Sequence, residues 1–528
     1  MKLKYKDSDN SSFQKGNNLL ALFDLSSDCN VLIIGNRLSK WQNKFLNADF
    51  YQSYPAITSF KDVYDLVLFD SRDIKSSKNL PQLLKKLRLI LSPMGTLIIF
   101  AYNFWSFSNL KHIVKGRRAE FFGKMLCGYS CMKNTLKKAN FIHIKDYLCF
   151  PNLDFVEEFI APNSKFVEIP HYYNFLQKIA KCAGIYKYIH DAFIFICTKK
   201  RIEKNSLFLS IHARLSQKLH AKNIDLRLTR FDIRKRGALV LFVTNNITKN
   251  KFIIRVVPDE TTNKIISKNH SFLQYLHSNK NIPFKIRSKI PLPIDAFKLN
   301  KNYIYIESLL PGILSWKANR NDQKNKIYQS IVDFIFEFNL ATRKKATLNR
   351  ELLDELFSED LQLLNSSETI DNDFKIKLEK IIDLLKIYFL KKEMYLVCSH
   401  GDYGYGNILI NPHNGDVTGV IDWDTGRKLE FPGIDIINLK IQLNRAGGTQ
   451  SFIDSIKSIV LTMFDGGSIY EAKNHDNIFK IDPNYNRYIY YIALMRFIVR
   501  SSHYDEEFFA KQNIFKEALE YLIKNVAL

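Results

Sequence analysis

The chain has little of what staples, anchors or exports a protein. Seven cysteines in 528 residues are few and odd in number, which speaks against a disulfide framework and fits reduced thiols in a cytoplasm. Cys127 and Cys131 are four apart and can share a helical face, but no second pair with metal-ligand spacing follows. Buried structural thiols are therefore expected there. No apolar run reaches the length of a membrane span. The best candidate, "YIYYIALM" at 488–495, is stopped by Arg496. The N-terminus, "MKLKYKDSDNSSFQKGNN", lacks the apolar core of a secretory signal, so a cytoplasmic location is expected. Acids are also in deficit, with 53 Asp and Glu against 77 Lys and Arg and a formal net charge of +24. The basic residues are spread through every segment and form no block of five or six. They read as a solvated basic surface, and nucleic acid is not expected as a partner.

A hydrophobic fraction of 46% and a charged fraction of 25% belong to a folded protein. The length exceeds one ordinary core, so two or three domains are expected. From about 29 to 100 strand and helix alternate, as in an open parallel sheet. "CNVLIIG" (29–35) is a buried strand ending in glycine, and "YDLVLFD" (64–70) is another, ended by an acid. "LPQLLKKLRLILSPMGTLIIFAYN" (80–103) reads as an amphipathic helix, a Pro-Met-Gly turn and a third buried strand. Helix and strand follow in "TLKKANFIHIKDYLCF" (135–150), and a closing strand in "HDAFIFICTKK" (190–200).

Through these elements, and through the "LSPMGTLII" turn above all, residues 15–200 resemble the class I S-adenosylmethionine-dependent methyltransferases. The resemblance implies an α/β Rossmann-like, methyltransferase-type N-terminal domain over 1–200. In that family a glycine-rich turn after the first strand lets bare backbone approach the cofactor. Here "GNRLS" keeps only Gly35, and the acid that would hold the ribose has no counterpart in "NADFYQSYP". The expected S-adenosylmethionine site, with Gly35 its surviving residue, is therefore inactive or repurposed.

Past the polar connector "TKKRIEKNS" the pattern changes. "LRLTR" (226–230), "ALVLFVT" (238–244) and "KFIIRVV" (251–257) are short strands with turn-length joins. A helix follows over about 261–278, then "NYIYIESLLPG" (302–312), a strand running into a Pro-Gly turn. Most of the remainder is helical. It is interrupted by "CSHGDYGYGNILINPHNGDVTGVIDWD" (398–424), the most informative stretch in the chain. "NILI" and "VTGVI" are strand-like, and Asn414-Gly415 between them is a strong turn signal. A two-residue turn there sets Asn407 opposite Asp422, with Cα atoms about 4.5–5.5 Å apart. An amide oxygen and a carboxylate at that spacing are hard donors that suit Mg²⁺. Asp402, five residues before Asn407, can accept a proton from a hydroxyl aligned on a phosphate. Any one of these residues alone more often caps a turn; the composite H-G-D-x-x-x-x-N, hairpin and I-D-W-D is far less common by chance.

These motifs resemble the aminoglycoside phosphotransferase and choline kinase superfamily, relatives of the protein kinases, over about 205–528. The resemblance implies an α+β bilobal protein-kinase-like C-terminal domain, with a small lobe over about 205–310 and a large lobe over about 311–528. It assigns Asp402 as catalytic base and Asn407 and Asp422 as Mg²⁺ ligands. His400 and Asp435 brace the loop, and Asp424 stands behind the metal or at an exposed strand end. Backbone groups at Glu307 and Ser308 would meet the adenine of ATP. Gly237, in the phosphate-covering "FDIRKRG", and Arg255, in place of the usual lysine, would meet its phosphates. The acid expected on the following helix falls near Asn269, so the usual ion pair to the basic residue is expected to be missing.

The implied activity is transfer of the γ-phosphoryl of ATP to a small-molecule hydroxyl acceptor: a sugar, an amino sugar or a related alcohol. A glycan or surface-polysaccharide role is the analogy. Two other readings compete, a scaffold with two retired folds and a bifunctional methyltransferase-kinase. The intact Asp402, Asn407 and Asp422 argue against the first, and the glycines missing after Gly35 against the second. "SSHYDEEFF" (501–509) reads as a solvated helix start, with no acceptor pocket legible in it.

Overall fold

In the computed structural model the described residues are 29–35, 38, 45, 47–51, 63–71, 80–102, 129–141, 143–150, 158–160, 192–199, 206–219, 224–233, 238–257, 259–299, 302–318, 324–366, 370, 372–446, 479, 483–504 and 517. The chain divides into two compact units, 1–267 with 293–309, and 268–292 with 310–528.

The first unit is built on one twelve-stranded sheet. Asn30–Ile34, Tyr64–Asp70 and Leu91–Tyr102 are near-continuous apolar runs, and they pair in parallel, with Asn47–Tyr51 parallel on the outer side of Asn30–Ile34. Ala192–Thr198 then enters antiparallel between Leu91–Tyr102 and His143–Phe150. That layout is a methyltransferase-type Rossmann-like fold. Such runs need cover on both faces, and they have it. Leu32, Ile34, Val67 and Phe69 pack under the helices Leu80–Ile90 and Tyr129–Lys138. Val31, Ile33, Leu66 and Leu68 face the opposite core. The expected Pro-Met-Gly turn is instead a bulge inside the single strand Leu91–Tyr102, between the pairs Tyr64–Leu91 and Leu66–Thr96, and a Cβ on Gly95 there would lie 2.9 Å from the Tyr64 carbonyl oxygen.

The sheet does not stop where the methyltransferase-like elements end. Glu158–Ile160 pairs antiparallel with Leu226–Ile233. The antiparallel ladder continues through Leu239–Asn245, Lys251–Val257, Asn302–Ser308 and the edge strand Pro293–Leu299. Phe231, Leu241, Ile254 and Ile306 belong to the same core face as Val31 and Ile33. One sheet and one core face thus include strands from both sides of residues 200–205. Helix Ser206–Lys218, unread in the sequence, covers this face with Leu207, Ile211 and Leu215; their four-residue spacing was its signal.

The second unit is mainly helical. Ile331, Ile335 and Phe338 of helix Lys324–Thr342, Leu353 and Phe357 of Arg350–Ser366, and Leu378 and Leu385 of Asn372–Phe389 close a core around the short strands of residues 393–430. This is the large lobe of a protein-kinase-like fold. Of the expected structural thiols, Cys131 is exposed and Cys127 lies outside the described residues. Tyr129, Met132 and Leu136 take the buried face of that helix, which turns position 131 outward. Among the described residues no helix is long and apolar enough to cross a membrane.

Candidate active site

Strand Glu393–Ser399, buried from Leu396 onward, delivers the chain into His400-Gly401-Asp402. The turn there is tight. Gly401 has φ +83°, and a Cβ on it would lie 2.4 Å from the Thr425 carbonyl oxygen. Helix Ile434–Ala446 holds the turn from below. Asp435 accepts the His400 N–H at 2.7 Å on one carboxylate oxygen and the Gly401 N–H at 2.8 Å on the other. Asn438 donates to the Gly401 carbonyl at 2.9 Å, and Arg500 donates to the same oxygen. Burial raises the Asp435 carboxyl to about 7, against the pull of the two N–H groups.

His400 ties this loop to the strand that leads to Asp422. Its Nε2 lies 2.8 Å from the Ile421 carbonyl oxygen, and its Nδ1 lies 3.3 Å from the Asp402 amide nitrogen. Those partners require Nε2–H to donate and Nδ1 to accept, so the ring is neutral. Its pKa is lowered, chiefly by burial. The imidazole packs on Trp423 with ring centroids 4.5 Å apart. His400 and Asp435 brace, as the motif implied.

Asp402 itself is exposed. Asn407 Nδ2 donates at 2.9 Å both to its Oδ2 and to its carbonyl oxygen, and Gln442 Nε2 donates to its Oδ1 at 3.2 Å. The amide hydrogens of Asn407 are thereby used, which leaves its Oδ1 as a hard oxygen donor. Across the hairpin the Ile421 N–H donates to the Asn407 carbonyl at 2.9 Å.

That contact corrects the expected register. Asn407 stands opposite Ile421, one residue short of Asp422. Two features cause the slip. The hairpin closes between Asn411 and Asp416 around the four residues Pro412–Gly415, with Gly415 at φ +78° and Asn411 Oδ1 accepting the His413 N–H at 2.9 Å. A bulge then falls between the pairs Leu409–Gly419 and Ile410–Val417. Proline in the turn and an Asx turn at Asn411 compete with the two-residue Asn-Gly loop. Asp422 nonetheless follows directly on Ile421, and its own φ of +60° takes it out of strand alternation. The next N–H, of Trp423, is received by Asn269 Oδ1 at 2.9 Å, so the helix residue expected as a missing acid has a different task. Among the described residues no three His, Cys, Asp or Glu side chains converge on a metal position.

Beneath the loop lies a buried charge network that sequence reading missed. Asp360 receives Arg427 at 2.8 Å and Arg496 at 3.0 Å, and Glu430 receives Arg496 as well. Burial alone would raise the Asp360 carboxyl, but Arg427 and Arg496 outweigh it and hold it at about 2. Gln442 was missed too, although its signal was present. Asp435, Asn438 and Gln442 recur at i, i+3 and i+7, which sets them along one side of the helix.

In the first unit, Arg255 is paired, contrary to expectation. Its Nη2 lies 2.9 Å from Glu307 Oε1, and both side chains are largely buried. Ile253 is the cross-strand partner of Glu307, so Arg255 sits two residues along the neighbouring strand. The acid comes from the sheet instead of the helix. Glu307 therefore contributes its carboxylate, while Ser308 pairs with Phe252 at the end of the same ladder. Gly237 lies outside the described residues. Gly35 has φ +131°, and its N–H donates to the Tyr51 carbonyl at 2.9 Å.

Residues 237–431 match the family model described as "Phosphotransferase enzyme family". That match makes the stretch a phosphotransferase domain. A search of curated proteins returned no match. Among solved structures, the chain is similar to a type VIII aminoglycoside-3'-phosphotransferase, at 12% identity over 51% of this chain and 98% of that one, with a TM-score of 0.31. It is similar to an ethanolamine kinase of Plasmodium vivax, at 16% identity over 61% and 91%, with a TM-score of 0.35. Similarity to the bifunctional kinase-methyltransferase WbdD extends over 98% of this chain and 94% of that one, at 9% identity and a TM-score of 0.27.

Proposed function

We propose that this chain is an ATP- and Mg²⁺-dependent phosphotransferase that acts in the cytoplasm on a hydroxyl of a sugar, amino sugar or related alcohol. The observation that carries the reading is the Asn407 amide, whose nitrogen is held by Asp402 through both the carboxylate and the carbonyl oxygen. Its remaining oxygen and the Asp422 carboxylate fit Mg²⁺ with water and phosphate oxygens completing the shell. Held by these two residues, Mg²⁺ would supply positive charge to offset that of the phosphates.

Asp402 then orients the acceptor hydroxyl. The hydroxyl oxygen bonds to the γ-phosphorus, the bond to the β–γ bridging oxygen breaks, ADP leaves, and the proton passes to the Asp402 carboxylate. His400 stays neutral and holds the loop to the Asp422 strand. Arg255, Glu307, Ser308 and Gly237 remain the proposed nucleotide residues of the small lobe. The 1–200 and 205–528 domains remain the proposed functional division, with the sheet shared between them.

Turnover of labelled ATP against sugars, nucleosides, choline-like alcohols and aminoglycosides identifies the acceptor. With it, Asp402→Asn should lower kcat roughly 10²- to 10⁴-fold while leaving MgATP affinity near that of the wild type. Calorimetry should show ATP binding tightened by Mg²⁺, and Asp422→Ala should abolish that gain. Equal turnover in Asp402→Asn, or identical ATP affinity with and without Mg²⁺, defeats the proposal.

A further inference from the structure

Asp402 is solvent-exposed, so packing does not fix its carboxylate, and the torsion that turns that group is soft. What fixes it is a pair of neutral amides. Asn407 Nδ2 donates to Oδ2 at 2.9 Å, and Gln442 Nε2 donates to Oδ1 at 3.2 Å. One donor on each oxygen defines the plane of the carboxylate and leaves each oxygen a lone pair for an incoming hydroxyl. A lysine at 442 would place a full positive charge against the base; glutamine orients it without one.

Gly404 is a second, independent observation. It has no positive φ, so its backbone does not call for glycine. The space beside it does. A Cβ at 404 would lie 1.6 Å from Gln442 Oε1, 2.1 Å from Cδ and 2.4 Å from Nε2. Any larger residue must push the amide away. Gln442 is delivered by the same helix stripe as Asp435 and Asn438, which already grip the two residues before Asp402.

We propose that Gln442 is a positioning residue for Asp402, and that Gly404 is glycine because the Gln442 amide fills the place of its side chain. The assignment rests on the reading of Asp402 as the proton acceptor. It extends the site along the helix of Asp435 to a residue that the motif does not include.

The test uses the full chain with MgATP as donor and water as acceptor, reading phosphate release. Gln442→Ala should lower kcat about 5- to 10-fold, the range for one orienting hydrogen bond, with KM for MgATP unchanged. Gln442→Glu keeps the volume but loses the N–H donor, so it should lose as much; a side chain that only packed would be rescued by it. Gly404→Ala should show the same loss, and the Gly404→Ala/Gln442→Ala double variant should lose no more than either alone. Unchanged KM in each variant confirms an intact fold. Asp402→Ala is run beside them. If it turns over as fast as wild type, the underlying reading fails. If it is slow while Gln442→Ala and Gln442→Glu match wild type, the Gln442 assignment alone fails. Additive losses in the double variant overturn the role given to Gly404.

Discussion

Asp435→Asn separates two effects that most substitutions confound. The carboxylate accepts two backbone N–H groups, from His400 and Gly401, at 2.7 and 2.8 Å. An amide of the same shape can accept only one and must turn its NH₂ toward the other. That loses a charge-assisted bond and strands a buried donor, together about 2–4 kcal/mol. Against this stands the cost of the buried charge. Burial raises the group from 3.8 to about 7, and each pH unit is worth about 1.4 kcal/mol, so the ionised form costs about 4 kcal/mol relative to water. The two terms nearly cancel above pH 7, where Asp435→Asn should unfold within about 2 kcal/mol of wild type. They do not cancel in acid. A carboxyl raised in the folded state contributes stability that is complete below about pH 4 and lost as pH rises through 7. The stability of wild type relative to Asp435→Asn should therefore fall by about 2–3 kcal/mol between pH 5 and pH 8. Denaturant titration followed by tryptophan fluorescence reads this difference. Turnover should fall at least about 10-fold at pH 8 in spite of the matched stability, because the loop carrying Asp402 is loosened. A stability difference that does not change with pH refutes the raised carboxyl, and unchanged turnover refutes the brace.

Asp360→Asn should cost about 3–5 kcal/mol in denaturant unfolding, since it leaves Arg427 and Arg496 buried with too little negative charge. Because Asp360 is held at about 2, its contribution is complete above about pH 4 and lost as pH falls through 2, so wild type and variant should converge in strong acid. Gly401→Ala should cost about 2 kcal/mol or more, from the φ of +83° and the Thr425 carbonyl 2.4 Å from the new Cβ; a fully stable Gly401→Ala protein would contradict the turn described. Calorimetry with S-adenosylmethionine should show weak binding or none, and low-micromolar binding would promote the bifunctional reading.

Where the sequence was legible, one physical signal dominated each element. Apolar runs such as "VLII" and "LVLF" can only be strands buried on both faces, and they were. The loop from His400 to Asn407 was legible because its composition is unusual enough to exclude most alternatives. Register was harder. Asn-Gly argued for a two-residue turn, but Pro412 and the Asx turn at Asn411 are competing local preferences, and the bulge near Thr418 shifts the count again. The fused sheet was illegible for a similar reason: pairing of Glu158–Ile160 with Leu226–Ile233 joins segments about 70 residues apart in the chain, and three residues carry no periodicity. The ionic network of Asp360, Arg427, Glu430 and Arg496 could not be read either, because each residue alone is an ordinary charge in a basic protein.

Glu307 holds Arg255 from the neighbouring strand, and Asn269, where a helix acid was expected, receives the Trp423 N–H. A largely buried basic side chain needs a carboxylate to hold it, and any element at the right distance can supply one. Neighbouring antiparallel strands supply it rigidly, since the backbone ladder between Lys251–Val257 and Asn302–Ser308 sets the spacing of Arg255 and Glu307. Once the strand provides the acid, the helix position is released. At 269 the demand is for an acceptor to the Trp423 N–H, in a place that is almost fully buried and one residue from Asp422. A carboxylate there would be desolvated and would stand beside a second acid, and both effects raise its pKa and that of its neighbour. An amide accepts the same hydrogen bond and stays neutral at every pH.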